Sequence, residues 1–160
     1  MSRAMSIVAR EAALAAALEA VAGCIPYARF LEVGFDRLGD ELTARLPFRE
    51  AIVGNPLLPA IHGGVTGAFL ELTAQVQLGW NEVIAREPKR GLPPEPVEIP
   101  KTIDISIDYL RSGRPRETFA RAEVQKAGRR VVHVHVIAWQ DAKSRPIAMM
   151  RGNFLMPEEG

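Results

Sequence analysis

One stretch constrains this chain more than any other. From about residue 63 to residue 86 the sequence follows a helical period, with valine, phenylalanine, leucines and alanines around most of the circumference and few charges before Glu82. A helix that is apolar nearly all round is buried on most sides, so the rest of the chain must wrap around it. At 160 residues, 48% of them hydrophobic, the chain is long enough to do this as one domain spanning residues 1–160.

The flanking segments supply the wrapping. Residues 5–22 predict a further, N-terminal helix: Ile7, Leu14, Leu18 and Val21 share a stripe, alanines fill the interior, and Gly23 and Pro26 stop it. From Ala28 the period becomes two, with Leu31, Val33 and Phe35 alternating on one side of Leu38-Gly39-Asp40 and Leu42, Ala44 and Leu46 on the other, which predicts a hairpin. Residues 47–61 read as an irregular loop. Residues 87–100 hold Pro88, Pro93, Pro94, Pro96 and Pro100, which predicts an extended connection and no helix. Four alternating segments follow, at 102–109, 118–125, 131–139 and 146–155, and their short turn signals predict an antiparallel meander. One long helix with about six antiparallel strands makes an α+β domain whose sheet curls around the helix.

Composition narrows the function classes. Twenty Lys+Arg against nineteen Asp+Glu leave a net charge of +1, so no overall field favours nucleic acid or an anionic membrane. The one cysteine, Cys24, excludes an intramolecular disulfide framework and a cysteine-based zinc site, and the expected compartment is the cytoplasm. Glu11 and Glu19 interrupt the most apolar run, so no membrane span is expected. Val21-Ala22-Gly23-Cys24 has the form of a lipoprotein cleavage box, but Arg10, Glu11 and Glu19 break the apolar run such a signal requires.

The densest chemical signal opens the long helix. Asn55, then His62-Gly63-Gly64-Val65, precede Glu71, which is the only acidic residue between Glu50 and Glu82. Paired glycines at a helix start leave backbone N–H groups bare at the positive end of the helix dipole, which suits a developing oxyanion. A carboxylate on an apolar helix needs a partner or a task. Eight residues of helix separate Gly63 from Glu71, about 12 Å, too far for both to reach one carbon. Two copies with antiparallel helices would bring Gly63 of one to Glu71 of the other, which predicts two shared sites in a dimer.

These residues, with the Pro-rich gap, the segment from Thr102 to Tyr109 and Leu110, and the segment from Ala120 to Arg130, resemble the hotdog-fold acyl-CoA thioesterases of the phenylacetate-pathway type. The resemblance runs from about residue 29 to 157. It implies that Glu71 is the carboxylate acting as nucleophile or as general base on water, that the Gly63 N–H polarises the thioester carbonyl, and that His62 places the carbonyl or shapes the loop. Thr102 matches the hydroxyl that orients water in some members. Asn55 lies seven residues before His62 where the family has Asn or Gln six before, and a one-residue bulge would restore its place. The chemistry needs no cofactor and no metal, since CoA belongs to the substrate.

Charge adds a second signal. Arg111, Arg114, Arg116, Arg121, Lys126, Arg129 and Arg130 stand against Glu117 and Glu123 in twenty residues, a density that suits phosphates. Arg111 and Arg114 in one turn, Arg129 and Arg130 in another, and Gly64 are therefore the candidate contacts to CoA. His133 and His135 share a strand face at a spacing that can chelate metal, but no third ligand is evident from the sequence and no metal site is expected. The expected partners are an acyl-CoA and further copies of the chain, as a homodimer or a homotetramer, with no nucleic acid and no membrane. Two alternatives stand beside thioester hydrolysis. A hotdog hydroxyacyl dehydratase or hydratase would need a His about fourteen residues before the acid, where Leu57 stands; a noncatalytic acyl-CoA-binding hotdog protein would not need Glu71.

Overall fold

The structure, a computed structural model, describes residues 6–90 and 97–158. Helices α1 (Ile7–Gly23) and α2 (Pro26–Phe30) lead into strands β1 (Gly34–Leu38) and β2 (Glu41–Leu46), and the long helix α3 spans Gly63–Arg90. Strands β3 (Lys101–Tyr109), β4 (Thr118–Ala127), β5 (Val131–Trp139) and β6 (Ala148–Leu155) complete a six-stranded antiparallel sheet in the order β1-β2-β4-β5-β6-β3. The sheet curls around α3, the hotdog arrangement that the resemblance implies.

Two packed clusters hold α3. Phe69, Leu70, Leu72, Ala74 and Leu78 meet Ala44, Leu46, Ala120, Val134, Val136, Ala138, Met150 and Phe154 from the sheet. Farther along, Val76, Trp80 and Val83 meet Leu42 and Leu14, Leu18 and Val21 of α1. Helix α1 therefore closes the side of α3 that the sheet leaves open, and Arg10 ties the two helices with a two-point ion pair to Glu87, both N···O distances being 2.8 Å.

Five expectations are corrected. The predicted meander is broken, because β3 pairs with β6 at the sheet edge and β4 pairs with β2. The connection from β3 to β4 is no tight turn: it crosses the ends of β6 and β5, with Leu110 and Arg111 N–H donating to the Ile147 carbonyl and Arg114 N–H to Gln140 Oε1. The hairpin starts at Gly34 and not at Ala28, since Pro26 opens a short helix in the position where its missing N–H costs nothing. Helix α3 continues through Pro88 to Arg90, so the loop expected from residue 87 begins later; Pro93, Pro94 and Pro96 lie outside the described residues. Ile7, placed on the buried stripe of α1, is 83% exposed, whereas Leu14, Leu18 and Val21 are buried.

Candidate functional site

His62 begins the site as the cap of α3. Its carbonyl accepts from the N–H groups of Val65 and Thr66 at 2.9 and 3.1 Å, and its imidazole Nδ1 accepts from Gly64 N–H at 2.8 Å. The ring takes the place usually held by a Ser or Asp oxygen. A Cβ on Gly64 would lie 3.0 Å from that Nδ1, so the glycine leaves room for the folded-back ring. Because Nδ1 accepts, the neutral ring carries its proton on Nε2. The Gly64 N–H is thus spent on the cap, while the Gly63 N–H meets no acceptor among the described residues.

Tyr109, at the end of β3, grips the same turn. Its hydroxyl donates to the Gly63 carbonyl at 2.6 Å. Gly67 makes this approach possible, since a Cβ there would come within 2.9 Å of Ile107 Cδ1 and 3.3 Å of the Tyr109 oxygen. The first turn of α3 is therefore pinned to β3. Sequence reasoning did not assign Tyr109 a role, and only its place at the end of an alternating strand marked it.

Two turns on, half-buried Glu71 meets the start of the same strand. Thr102 Oγ1 donates to Glu71 Oε1, and Gln75 Nε2 approaches Thr102 Oγ1 at 3.5 Å and the Pro100 carbonyl at 3.3 Å. Glu71 and Gln75 are one helical turn apart, so they share the face turned to β3. Glu71 Oε2 has no hydrogen-bond partner among the described residues. A bulge at Ile103 makes the Thr102 contact possible. Asp104, Ser106 and Asp108 face outward opposite Asn153, Arg151 and Met149, and strict alternation would send Thr102 the same way; the register shift between Thr102 and Asp104 sets Thr102 opposite inward-facing Phe154. Thr73, also close in sequence, is buried and bonds back to the Phe69 carbonyl.

The other candidates fall into separate places. The Val53–Ile61 bridge closes residues 54–60 into an exposed excursion, where Asn55 Oδ1 accepts from Leu57 N–H at 3.0 Å. No hydrogen bond joins Asn55 to His62, Gly63 or Glu71 among the described residues. Arg111 lines a cleft of about 500 Å³ with Gly63, Thr66, Tyr109 and Ser112. Arg114 and Arg145 share the adjoining cleft with Arg111 and Gln140. Arg145 was not singled out from sequence, because it lies outside the basic segment and reaches the cleft only through the fold. Arg129 and Arg130 sit in the β4–β5 turn at the opposite end of the sheet, with Arg130 paired to Glu158 at 3.0 Å. Within one copy, the two arginine groups therefore do not converge.

Comparison with known proteins identifies the family of the chain. The family model for the thioesterase superfamily matches residues 58–146, more than half of the chain. The medium/long-chain acyl-CoA thioesterase YigI of Escherichia coli K12 is 29% identical over 119 residues, covering 70% of this chain and 74% of that protein. A solved structure from Chromobacterium violaceum is 36% identical, covers 92% of this chain and 93% of that one, and superposes with a TM-score of 0.65. A phenylacetic acid degradation-related protein of Ralstonia eutropha JMP134 shares the fold at 18% identity, covering 82% of this chain and 89% of that one with a TM-score of 0.62.

Proposed function

The chain belongs to the thioesterase superfamily and is a thioester hydrolase, and on that premise we propose that it cleaves an acyl-CoA to the free acid and CoA at sites shared by two copies. The observation that carries this reading is the Gln75–Thr102–Glu71 chain, which fixes a carboxylate on the same helix that opens with the unspent Gly63 N–H. The acyl-CoA class follows the name of the YigI relative.

The steps follow from those groups. Glu71 Oε2 takes a proton from water as the water oxygen attacks the thioester carbonyl carbon, while Thr102 holds Oε1 and so fixes the plane of the carboxylate. The carbonyl oxygen gathers negative charge and accepts from Gly63 N–H, reinforced by the positive end of α3. Collapse of the tetrahedral species breaks the C–S bond, and the proton held by Glu71 goes to the departing thiolate. Arg111, Arg114 and Arg145, near the Gly63 end, are placed to receive the phosphates of CoA.

A second copy supplies the missing proximity. Strand β3 ends the sheet with one edge unpaired among the described residues, and Ile103, Tyr109 and Leu110 are exposed along it. An uncovered nine-residue edge of this kind is a template for pairing with another chain. Antiparallel pairing of β3 with its copy would set Gly63 of one protomer near Glu71 of the other.

The test is CoA release from short-, medium- and long-chain and aryl thioesters by wild type and by Glu71→Ala. Turnover lost in the variant, with CoA binding retained, supports the reading. Absence of turnover on every thioester, or an active Glu71→Ala, contradicts it.

A further inference from the structure

One apolar side chain on the helix-facing side of β3 is left uncovered by the fold. Ile105 is the register partner of Gly152 on β6, a buried position between Met150 and Phe154, which pack in the core around α3. Opposed residues in a ladder share a face, so Ile105 points toward α3 as well. A Cβ on Gly152 would come within 2.9 Å of Ile105 Cγ2, so the isoleucine lies directly over the glycine and is seated by it. Ile107, on the same face, packs against the main core cluster, whereas Ile105 remains 36% exposed.

The spacing of strand and helix accounts for the opening. Thr102 bonds to Glu71 near the start of β3, and Ile107 meets Gly67 farther along. A strand advances about 3.3 Å per residue, so Thr102 to Ile107 covers about 16 Å, while the single helical turn from Gly67 to Glu71 covers about 6 Å. Both contacts hold because the Glu71 side chain reaches along the seam to Thr102. Ile105 lies between the two contacts and stays open.

The chemistry of that opening is one-sided. Glu71 and Thr102 form its polar end, whereas Ile105, Ile107 and Gly67 bring no polar side chain, and Asp104 and Ser106 face the other side of the sheet. In the hydrolytic reading, the carbon attacked beside Glu71 carries sulfur on one side and the acyl group on the other. The sulfur leads to CoA and to the arginines near Gly63. The acyl group needs an apolar surface next to the carboxylate, and Ile105 supplies one.

We propose that Ile105, seated on Gly152, is the wall against which the acyl group packs, and that its bulk sets the length of acyl chain the site accepts. The inference rests on the hydrolytic reading and adds to it a specificity-determining residue. A single methylene in an apolar pocket changes discrimination by about 10- to 200-fold. Ile105→Ala removes several carbons and Ile105→Phe adds several, so the two variants move selectivity in opposite directions.

The experiment is kcat/KM on CoA thioesters from butanoyl to tetradecanoyl for wild type and both variants, with Ile137→Ala on the outer face of β5 as control. Ile105→Ala raises the ratio of longer to shorter substrates by at least about tenfold, and Ile105→Phe lowers it by as much. Ile137→Ala keeps the wild-type ratio. Calorimetry with the matching S-alkyl-CoA thioethers, which cannot be hydrolysed, reads the same ratios as affinities. Melting temperatures and sedimentation of each variant separate a changed pocket from lost folding or lost self-association. Ratios that stay unchanged in both Ile105 variants overturn the proposal, as does an equal shift in Ile137→Ala. A wild type that hydrolyses no thioester contradicts the hydrolytic reading instead; opposite shifts in thioether affinity then still uphold the assignment of Ile105, and their absence overturns it.

Discussion

The two halves of α3 are built for different work. From Val76 to Val83 one face of the helix is enclosed, with Val76, Trp80 and Val83 packed against α1 and Leu42 of β2, and it contributes apolar burial. From Gly63 to Gln75 it carries an N–H with no acceptor among the described residues, a half-buried carboxylate and an amide, near a sheet edge that is unpaired among the described residues. One continuous helix thus joins a stabilising half to a polar half, and the rigidity of the first positions the groups of the second.

Substitutions can break that division. The largest effect is expected at Glu71, where Ala lowers kcat by about 10²–10⁴ through loss of a general base, with little change in melting temperature. Trp80→Ala reverses the pattern: it leaves a cavity costing about 3–5 kcal/mol of stability, while kcat per folded molecule stays near wild type. Chemical denaturation alongside initial rates reads both. If Trp80→Ala abolished turnover without unfolding, the two halves would not be separable.

Smaller changes sharpen the polar half. Thr102→Val removes the hydrogen bond to an ionised carboxylate, worth about 1.5–3 kcal/mol, and lowers kcat by about 10- to 100-fold with KM less affected. Tyr109→Phe releases the Gly63 carbonyl from a neutral hydrogen bond worth about 0.5–1.5 kcal/mol, so kcat falls by about tenfold at most. Steady-state kinetics on one thioester distinguish these from a loss of substrate binding, which would raise KM.

The smallest effect belongs to the enclosed half. The Arg10 guanidinium, bonded to Glu87, holds that carboxyl below its ordinary value of 4.5. A depressed carboxylate pKa stabilises the fold above the unfolded value, and the contribution is lost as pH falls through the folded one. Thermal melts from about pH 6 to about pH 3 should show Arg10→Ala slightly less stable than wild type near neutrality, with the gap closing in acid. The gap also shrinks with salt, because the pair lies near the surface.

Periodicity made much of this fold legible, and its failures are local. The all-round apolar character of α3 required a wrapping sheet, and alternation located five of the six strands to within a few residues. Strand order was less accessible, because the eight residues from Leu110 to Glu117 resemble a turn although they cross two strand ends. Pro26 both stops α1 and starts α2, and the residue type alone signals only the stop. In the site, His62, Gly63 and Glu71 stood out as a polar group on an apolar helix. Thr102 was identified by resemblance, since strict alternation sends it outward and only the bulge at Ile103, invisible in Thr-Ile-Asp-Ile, turns it to Glu71. The contacts of Gln75 and Tyr109 depend on how closely α3 approaches β3, which no spacing within either segment encodes.

The central claim is that one working site takes Gly63 from one copy and Glu71 from another. Gly63→Pro removes the N–H donor at the first position of the helix, where proline is tolerated, and Glu71→Ala removes the base, so each variant alone should be nearly inactive. Mixing the two after dissociation and reassociation is the most direct measurement. A shared site predicts recovery of about a quarter of the wild-type rate, since half of randomly paired dimers are mixed and each then holds one intact site of two. A mixture that stays at the level of the separate variants would contradict the account.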